Sequence, residues 1–465
     1  MDILLATPVN KTHYSTPPLG LGYLVSALRK AGIDSVSLLD PARENLDINK
    51  FAGFLKANRP KVLGIQCYSF DVSAVNRMLT AAKGIDPEIV TIIGGPHPTA
   101  VKGEVFSEFN GLDFAFQGEA EESLPLFINA VLGGSSSLDG IPGLVFKEKD
   151  KIRVNPAKLI SDLDCLDMPA WEMMDPRSYP DVVQGGFYKD FPVAPIITSR
   201  GCPHLCSFCA NRILMGRALR LRSIDKVIDE IGYLARDYNV KEVHILDDNF
   251  TVSKKRTLDF CQKFKSSKLK MHFAFPNGVR LDTLDREVLS ALKEIGVYSI
   301  TAGIESGSQR ILDHMHKKLT LDLIKDKACL IKSFGFILSA FFIIGYPAES
   351  KEDIIKTIKF ARQLPLDAAH FSCFLPLPGT DITQELLSSG QLEKIDYTQL
   401  FYSKAAFSPD GISKKELKAL QRKAFLLFYL RPRILCAMIS RLKSPRHFNS
   451  IIMRLKDYIF SSGNS

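Results

Sequence analysis

The feature that most restricts this chain is a rhythm. Short apolar runs alternate with amphipathic stretches, and they do so in two separate blocks. In the first block the runs are Ile3–Ala6, Ser35–Leu39, Val62–Gln66, Val90–Ile93 and Phe114–Phe116. Helical periodicity falls between and after them, as over Gly20–Lys30 and Glu121–Leu132. Short strands separated by helices need crossover connections, so they run parallel and predict a doubly wound, Rossmann-like α/β domain. Ligands of such sheets bind beyond the carboxyl ends of the strands, where the strand order reverses. The segments at those ends are "TPVNKTHYSTPPLGLGYL", "QCYSF", "GGPHPT" and "QGEAEE". Gly94 and Gly95 let a backbone approach a bulky ligand closely, although the same residues also serve as ordinary turns.

A composition shift at "GGSSSLDG", residues 133–140, marks the end of this block. "GLVFKEKDKIRV" reads as a hairpin turning at Lys149–Lys151, and a proline-punctuated linker follows. The rhythm resumes near Phe191. "VAPIITS", "EVHILDD", "MHFAFPNG", "VYSITAGIESG", "FILSAFFIIGYP" and "AAHFSCFLPLPG" are six more strand candidates. Helical stretches such as Ser223–Tyr238, Asp285–Ile295 and Lys351–Leu364 separate them. Six βα units in series predict a partial (β/α)6 barrel with its chemistry on the loops after the strands. The expected domains are 1–132, a linker with a hairpin over 133–190, the barrel over 191–395, and a basic helical region over 396–465.

Several function classes fall away on composition. The uncharged apolar run over residues 333–348 is too short and too broken by Gly and Pro to span a bilayer. The start of the chain has no basic segment followed by a long apolar one, so no secretory signal is expected. Six of the nine cysteines are scattered singly, which fits buried thiols in a reducing cytoplasm and no disulfide framework. The formal charge is +9, yet the segment from Gly411 onward holds twelve Lys and Arg against two acids. The rest of the chain is therefore near neutral, and no nucleic-acid partner is expected. In the tail, apolar runs and basic residues recur at helical spacing. That suits either a helical cap on the barrel with a solvated basic face or an interfacial segment on an anionic membrane.

The remaining three cysteines, Cys202, Cys206 and Cys209, crowd into "TSRGCPHLCSFCANR" after the first strand of the second block. A closed structural zinc site needs four ligands, and His204 lies within the loop as a possible fourth. Three thiolates alone suit a four-iron, four-sulfur cluster with one iron left open to chelate a further molecule.

Cys-x3-Cys-x2-Cys with aromatic Phe208 before the last cysteine resembles the signature of the radical S-adenosylmethionine enzymes. "LDDNFT", "GIESGSQRIL", "FIIGYPAES" and "FLPLPGT" fall after the later strands as they do in that superfamily. Together with "PPLGLGYL" and "GGPHPT", they resemble its cobalamin-binding branch, which includes carbon methylases and the anaerobic magnesium-porphyrin cyclase. The likeness covers roughly residues 1–395. It implies that Cys202, Cys206 and Cys209 hold a 4Fe-4S cluster whose fourth iron chelates S-adenosylmethionine. Phe208, Asp247, Asp248, Glu305, Ser306, Gly345, Tyr346 and Pro347 match positions near that cofactor. The family's Gly-Gly-Glu is absent at Asp247 and Asp248, which could instead cap the next helix. Glu305 could instead pair with an arginine such as Arg280. Glu349 is displaced by one residue from the family's acid and is given no contact. His244 and His272 read as core or wall residues.

For cobalamin the likeness implies a corrin site lined by Gly20, Leu21, Gln66, Tyr68, Ser69, Gly94, Gly95, His97, Gln117, Gly118 and Glu119. The histidine-tail motif Asp-x-His-x-x-Gly is not present, since Lys11 stands two residues before His13. The lower face of cobalt is thus expected to be open, water-bound or shielded. The implied reaction is cleavage of S-adenosylmethionine to an adenosyl radical and C-methylation of a hydrophobic small molecule. The electron would come from a donor such as flavodoxin or ferredoxin. Two alternatives are a non-methylating cyclase or oxidoreductase of the porphyrin-cyclase kind and a zinc-stabilised binding module without catalysis. A methylthiotransferase would need three further cysteines, and the N-terminal domain offers Cys67 alone.

Overall fold

Each of the five apolar runs of the first block is a parallel strand. They are β1 (Ile3–Ala6), β2 (Val36–Leu39), β3 (Val62–Gln66), β4 (Val90–Gly94) and β5 (Phe114–Phe116). The computed structural model describes residues 1–10, 16–133, 137–180 and 188–440. Contacts divide the chain into two compact units, Met1–Pro180 with Ala210–Arg220, and Asp181–Cys209 with Leu221–Ser465.

In the first unit the sheet order is β2-β1-β3-β4-β5-β6-β7, where β6 is Leu144–Glu148 and β7 is Lys151–Val154. Strands β1 to β5 are parallel, and β5-β6-β7 run antiparallel. The hairpin expected at Lys149–Lys151 thus extends the first sheet, and this unit continues beyond residue 132, where the sequence places a boundary. Helices Leu19–Lys30, Ile48–Asn58 and Val72–Ile85 follow β1, β2 and β3. Leu4, Ala6, Leu63, Ile65 and Ile93 from the strands meet Phe51, Leu55, Val75, Met78 and Leu79 from the helices, all essentially without exposure. Each large apolar side chain removed from water in this way contributes roughly 1.5–3 kcal/mol. The chain order reverses at β1, which leaves a crevice between the carboxyl ends of β1 and β3.

The second unit holds six parallel strands in sequential order. They are β8 (Val193–Ile196), β9 (Glu242–Ile245), β10 (His272–Val279), β11 (Val297–Glu305), β12 (Ile337–Ile344) and β13 (Ala368–Cys373). Helices Ile224–Asp237, Lys254–Ser266, Arg286–Glu294, Leu321–Ser333 and Lys351–Gln363 make the crossovers. Along β12 every second residue is buried, and Ile337, Ser339, Phe341 and Ile343 form its half-exposed face. The edge of β13 is covered by helix Lys414–Tyr429. The Tyr429 hydroxyl donates to Ala369 O at 3.0 Å, and Gln421 Nε2 donates to Phe371 O at 2.7 Å. These bonds satisfy backbone groups that an open edge would leave bare. Leu417, Leu420, Ala424, Phe425 and Phe428 of that helix are buried. This stretch of the basic tail is therefore a cap on the barrel.

The amino end of this sheet is filled by a polar network. Glu242, fully buried, accepts from Tyr298 Oη at 2.6 Å on one oxygen, which also lies 2.7 Å from His244 Nε2, and from the backbone of Lys189 and Asp190 on the other. Burial alone would raise this carboxyl, but its hydrogen bonds hold it below the ordinary value. His272 Nε2 lies 3.0 Å from Asp190. His244 and His272 are wall residues, as the sequence suggests. Among the described residues no helix is long and apolar enough to cross a membrane.

Candidate active site

The three-cysteine loop leaves the carboxyl end of β8, and its backbone is tied from four directions. Asp247, beyond the end of β9, accepts from Thr198 N, Thr198 Oγ1 and Ser199 Oγ, each at 2.6 Å. Asp248 accepts from Gly201 N at 3.2 Å. Ser207, between the second and third cysteines, donates its N–H to Met315 O at 3.1 Å and accepts from Ile382 N at 3.2 Å. Its hydroxyl lies 2.9 Å from Tyr346 Oη, which in turn lies 3.1 Å from His314 Nδ1. Cys209 N donates to Cys206 O at 3.1 Å, closing a turn.

The thiols are less enclosed than the backbone that carries them. Cys202 and Cys206 are half-buried, Cys209 is exposed, and none of the nine cysteines is in a disulfide. Burial pushes the Cys202 thiol above its ordinary value. His204 Nε2 is buried in the same loop without a hydrogen-bond partner. Among the described residues no three His, Cys, Asp or Glu side chains stand together as ligands of one metal ion. A single zinc would draw its sulfurs to roughly 3.8 Å from one another, given Zn–S bonds near 2.3 Å. A braced loop that presents three thiols suits a cluster held by three thiolates.

Of the positions matched to the second cofactor, several are engaged inside the protein. Asp247 is 3% exposed, and its carboxylate is taken up by the loop. Desolvation raises its pKa. Tyr346 has no exposed surface and braces Ser207, so its ring packs with Phe374 and Ile311 and is not presented to an adenine. Burial pushes its phenol up to about 12. Ser306 is buried and bonds Thr357 Oγ1 at 3.1 Å. Asp248 is exposed, and Gly345 and Pro347 contribute backbone to the loop after β12. Gly345 has φ 74°, and a Cβ there would sit 2.5 Å from Leu417. Glu349 accepts from Gly345 N at 2.6 Å and Tyr346 N at 3.1 Å and so shapes that loop.

Glu305, at the end of β11 with φ 69°, pairs with Lys317 at 2.9 Å. Arg280 binds Asp282 instead, at 3.0 and 2.9 Å. Lys317 is 6% exposed and lies 6.0 Å over the Phe208 ring. Burial disfavours its charge, but the Glu305 carboxylate and Cys206 prevail and raise its pKa. No sequence reading singled it out. "HKKL" offers two adjacent lysines, and only the fold distinguishes Lys317 from Lys318.

In the first unit Gln66 ends β3 and Tyr68 and Ser69 follow it, Gly94 ends β4 and Gly95 and His97 follow it, and Gln117, Gly118 and Glu119 follow β5, with two commitments the sequence does not reveal. His97, expected at the corrin edge, is fully buried, with Nδ1 3.1 Å from Ser69 Oγ and Nε2 2.7 Å from Glu108. Glu119 accepts from Arg220 Nη1 at 2.6 Å and Ile160 N at 2.7 Å, a buried pair. Gln117 Nε2 donates to Asn155 O at 2.7 Å. Gln117 and Gly118 also line a cleft of about 470 Å³ with Thr99, Lys102 and Arg212. Gly20, Leu21 and Gln66 lie at the start of helix Leu19–Lys30 and the end of β3. At Gly20 and Gly94 an added Cβ would meet nothing closer than 3.8 Å, so bulk can approach the backbone there. Lys11 and His13 lie outside the described residues.

Comparison with known proteins agrees with this geometry. Residues 196–361 match the model of the radical SAM superfamily, and residues 6–128 match that of the B12 binding domain. Over 442 residues the chain is 31% identical to an uncharacterised methyltransferase of Pyrococcus horikoshii, covering 94% of each. It is 29% identical to the cytidylyl-2-hydroxyethylphosphonate methyltransferase of Streptomyces wedmorensis, covering 81% of this chain and 78% of that one. It is 27% identical to the anaerobic magnesium-protoporphyrin IX monomethyl ester cyclase of Rubrivivax gelatinosus, over 86% of this chain and 71% of that one. Among solved structures, the cobalamin-dependent S-adenosylmethionine radical enzyme OxsB aligns with a TM-score of 0.75 at 17% identity, covering 98% of this chain and 71% of that one. At that identity the likeness is one of fold.

Proposed function

Because this chain belongs to the cobalamin-binding branch of the radical S-adenosylmethionine superfamily, we propose that it functionalises an unactivated carbon of a hydrophobic small molecule by C-methylation. The observation that carries the reading is the braced loop of Cys202, Cys206 and Cys209 at the carboxyl end of β8, in a chain whose first unit is a doubly wound sheet with an open crevice. When bound, the cluster supplies the electron that splits S-adenosylmethionine, and cobalamin carries the methyl group.

The chain's own residues do the holding. Cys202, Cys206 and Cys209 ligate the cluster, while Asp247, Ser207 and Tyr346 fix the loop they stand on. Phe208, Asp248, Glu305, Gly345 and Pro347 border the S-adenosylmethionine site, with Lys317 a buried cation beside it. Toward the carboxyl end of β12, the half-exposed Phe341 and Ile343 offer apolar surface to the substrate, and Ser339 offers a hydroxyl to orient it. Gly20, Leu21, Gln66, Tyr68, Ser69, Gly94, Gly95, Gln117 and Gly118 border the corrin. Electrons come from a flavodoxin- or ferredoxin-like donor.

The test is an anaerobic turnover of reconstituted protein with hydroxocobalamin, S-adenosylmethionine, reductant and metabolite extract from a deletion strain. Deoxyadenosine together with a methylated product is the expected result. Deoxyadenosine without methyl transfer would favour cyclisation or oxidation, a reading that the cyclase relative supports. A colourless preparation with zinc and no labile sulfide would sink both.

A further inference from the structure

Helix Gln309–His314 ends in a Schellman turn. Lys317 N donates to Leu312 O and His316 N donates to Asp313 O, each at 3.0 Å. His316 takes the left-handed position with φ 54°, where glycine is usual, and Lys318 has φ 52° on the other side of Lys317. The residue after such a cap commonly makes an apolar contact with the helix. Here it is a buried lysine. Its Nζ reaches Glu305 Oε1 at 2.9 Å, and Glu305 itself stands at φ 69°. Gly303 makes the room: a Cβ there would lie 2.6 Å from Glu305 Oε1 and 3.0 Å from Lys317 Nζ. Left-handed backbone at His316, Lys318 and Glu305, none of them glycine, thus surrounds a single buried cation. The same turn is bonded to the cysteine loop, because Ser207 N donates to Met315 O at 3.1 Å. The ammonium lies 6.0 Å over the ring of Phe208, which stands between Cys206 and Cys209 in that loop. The charge of Cys206 acts on it there.

A buried ion pair is weak ground for stability, since desolvation of both groups offsets their attraction. In a low dielectric, however, a fixed charge acts strongly on any change of charge beside it. Resting on the cluster reading above, we propose that the Glu305–Lys317 pair eases reduction of the cluster on Cys202, Cys206 and Cys209, with Lys317 supplying a fixed positive charge and Glu305 holding it in place. One electron passes from a flavodoxin- or ferredoxin-like donor, which is oxidised, to the cluster, which is reduced; no proton or bond moves with it. The added negative charge meets an ammonium already in position, so the reduction potential stands higher than it would without Lys317. Lys317 is in this role a positioning residue for charge.

The test uses the full chain with its cluster reconstituted anaerobically, without S-adenosylmethionine or cobalamin, and matched for iron and labile sulfide. Dithionite titration at monitored potential, read by electron paramagnetic resonance of the reduced cluster, gives the midpoint. Lys317→Met is expected to make reduction roughly tenfold less favourable, which for one electron is about 59 mV toward negative potential. Lys317→Met with Glu305→Gln, which spares the fold a lone buried carboxylate, is expected to shift the same way by less. Lys317→Arg, which keeps the charge, is expected to stay close to the native midpoint. Unchanged midpoints in both Met variants would overturn the proposal and leave the pair a brace or a contact for S-adenosylmethionine. A fall in Lys317→Arg as large as in Lys317→Met would also overturn it, since packing and not charge would then be the cause. So would loss of the cluster from both Met variants, which would assign the pair to holding the loop. A native chain that takes up no cluster would overturn the cofactor reading itself, a result distinct from these.

Discussion

Two buried carboxylates show how much of this site is structural at the scale of single residues. Glu349 is 3% exposed, and burial pushes its pKa from 4.5 to about 8. A raised pKa means that the folded chain holds a proton which the unfolded chain has released between those two values. Stability therefore falls as pH rises through that window. Glu349→Gln keeps an acceptor for Gly345 and Tyr346 and removes the titration. Its melting temperature is expected to exceed that of the native protein by a few degrees at about pH 8 and to match it at about pH 4.5, as scanning calorimetry would read. Glu305 presents the opposite case, a paired charge. Glu305→Gln leaves the Lys317 ammonium buried without its counter-charge, and about 3 kcal/mol of stability is expected to go, measured by urea unfolding. Adding Lys317→Met is expected to restore most of it. None of these partnerships was legible beforehand. A sequence displays acids and amides without displaying what they bond, which is why Asp247, His97 and Glu119 read as ligand contacts and proved to be occupied.

Elements were far more legible than partners, because hydrophobic periodicity is local and hydrogen-bond partners are not. The expected parallel strands begin within a residue of β1–β5 and β8–β13, although several were drawn past their ends into the loops, as AAHFSCFLPLPG runs six residues beyond β13, and helix Leu19–Lys30 begins one residue before its expected start. What the pattern did not carry is attachment. The hairpin of β6 and β7 was visible as a hairpin, but nothing in its residues says that it joins β5. Termini are fixed by caps whose value is testable. Ser350 and Asp353 form a reciprocal cap on helix Lys351–Gln363, and Asp353 also accepts from Ser308 Oγ at 2.7 Å. Ser350→Ala is expected to cost about 1 kcal/mol. Asp353→Ala is expected to cost two to three times as much, because the cap and a buried serine lose their partner together. Denaturant midpoints of the two variants check the ratio.

At the scale of the whole molecule the basic tail has two parts. Helix Lys414–Tyr429 is a lid on the edge of β13, and its apolar face is already covered. Removal of residues 441–465 is expected to leave co-sedimentation with anionic vesicles unchanged. Binding that vanishes with that segment would assign it to a membrane surface. The polar network at the amino end of the barrel has a different consequence. Glu242 gathers Tyr298 and the backbone of Lys189 and Asp190 at the amino ends of the strands, opposite the loops that carry the candidate site. A primary radical strips hydrogen from almost any neighbour, so an enzyme that makes one must choose what it can collide with. Under the reading proposed above, the engaged groups at the amino ends of the strands leave the loops at the carboxyl ends as the place where such a species meets its partner.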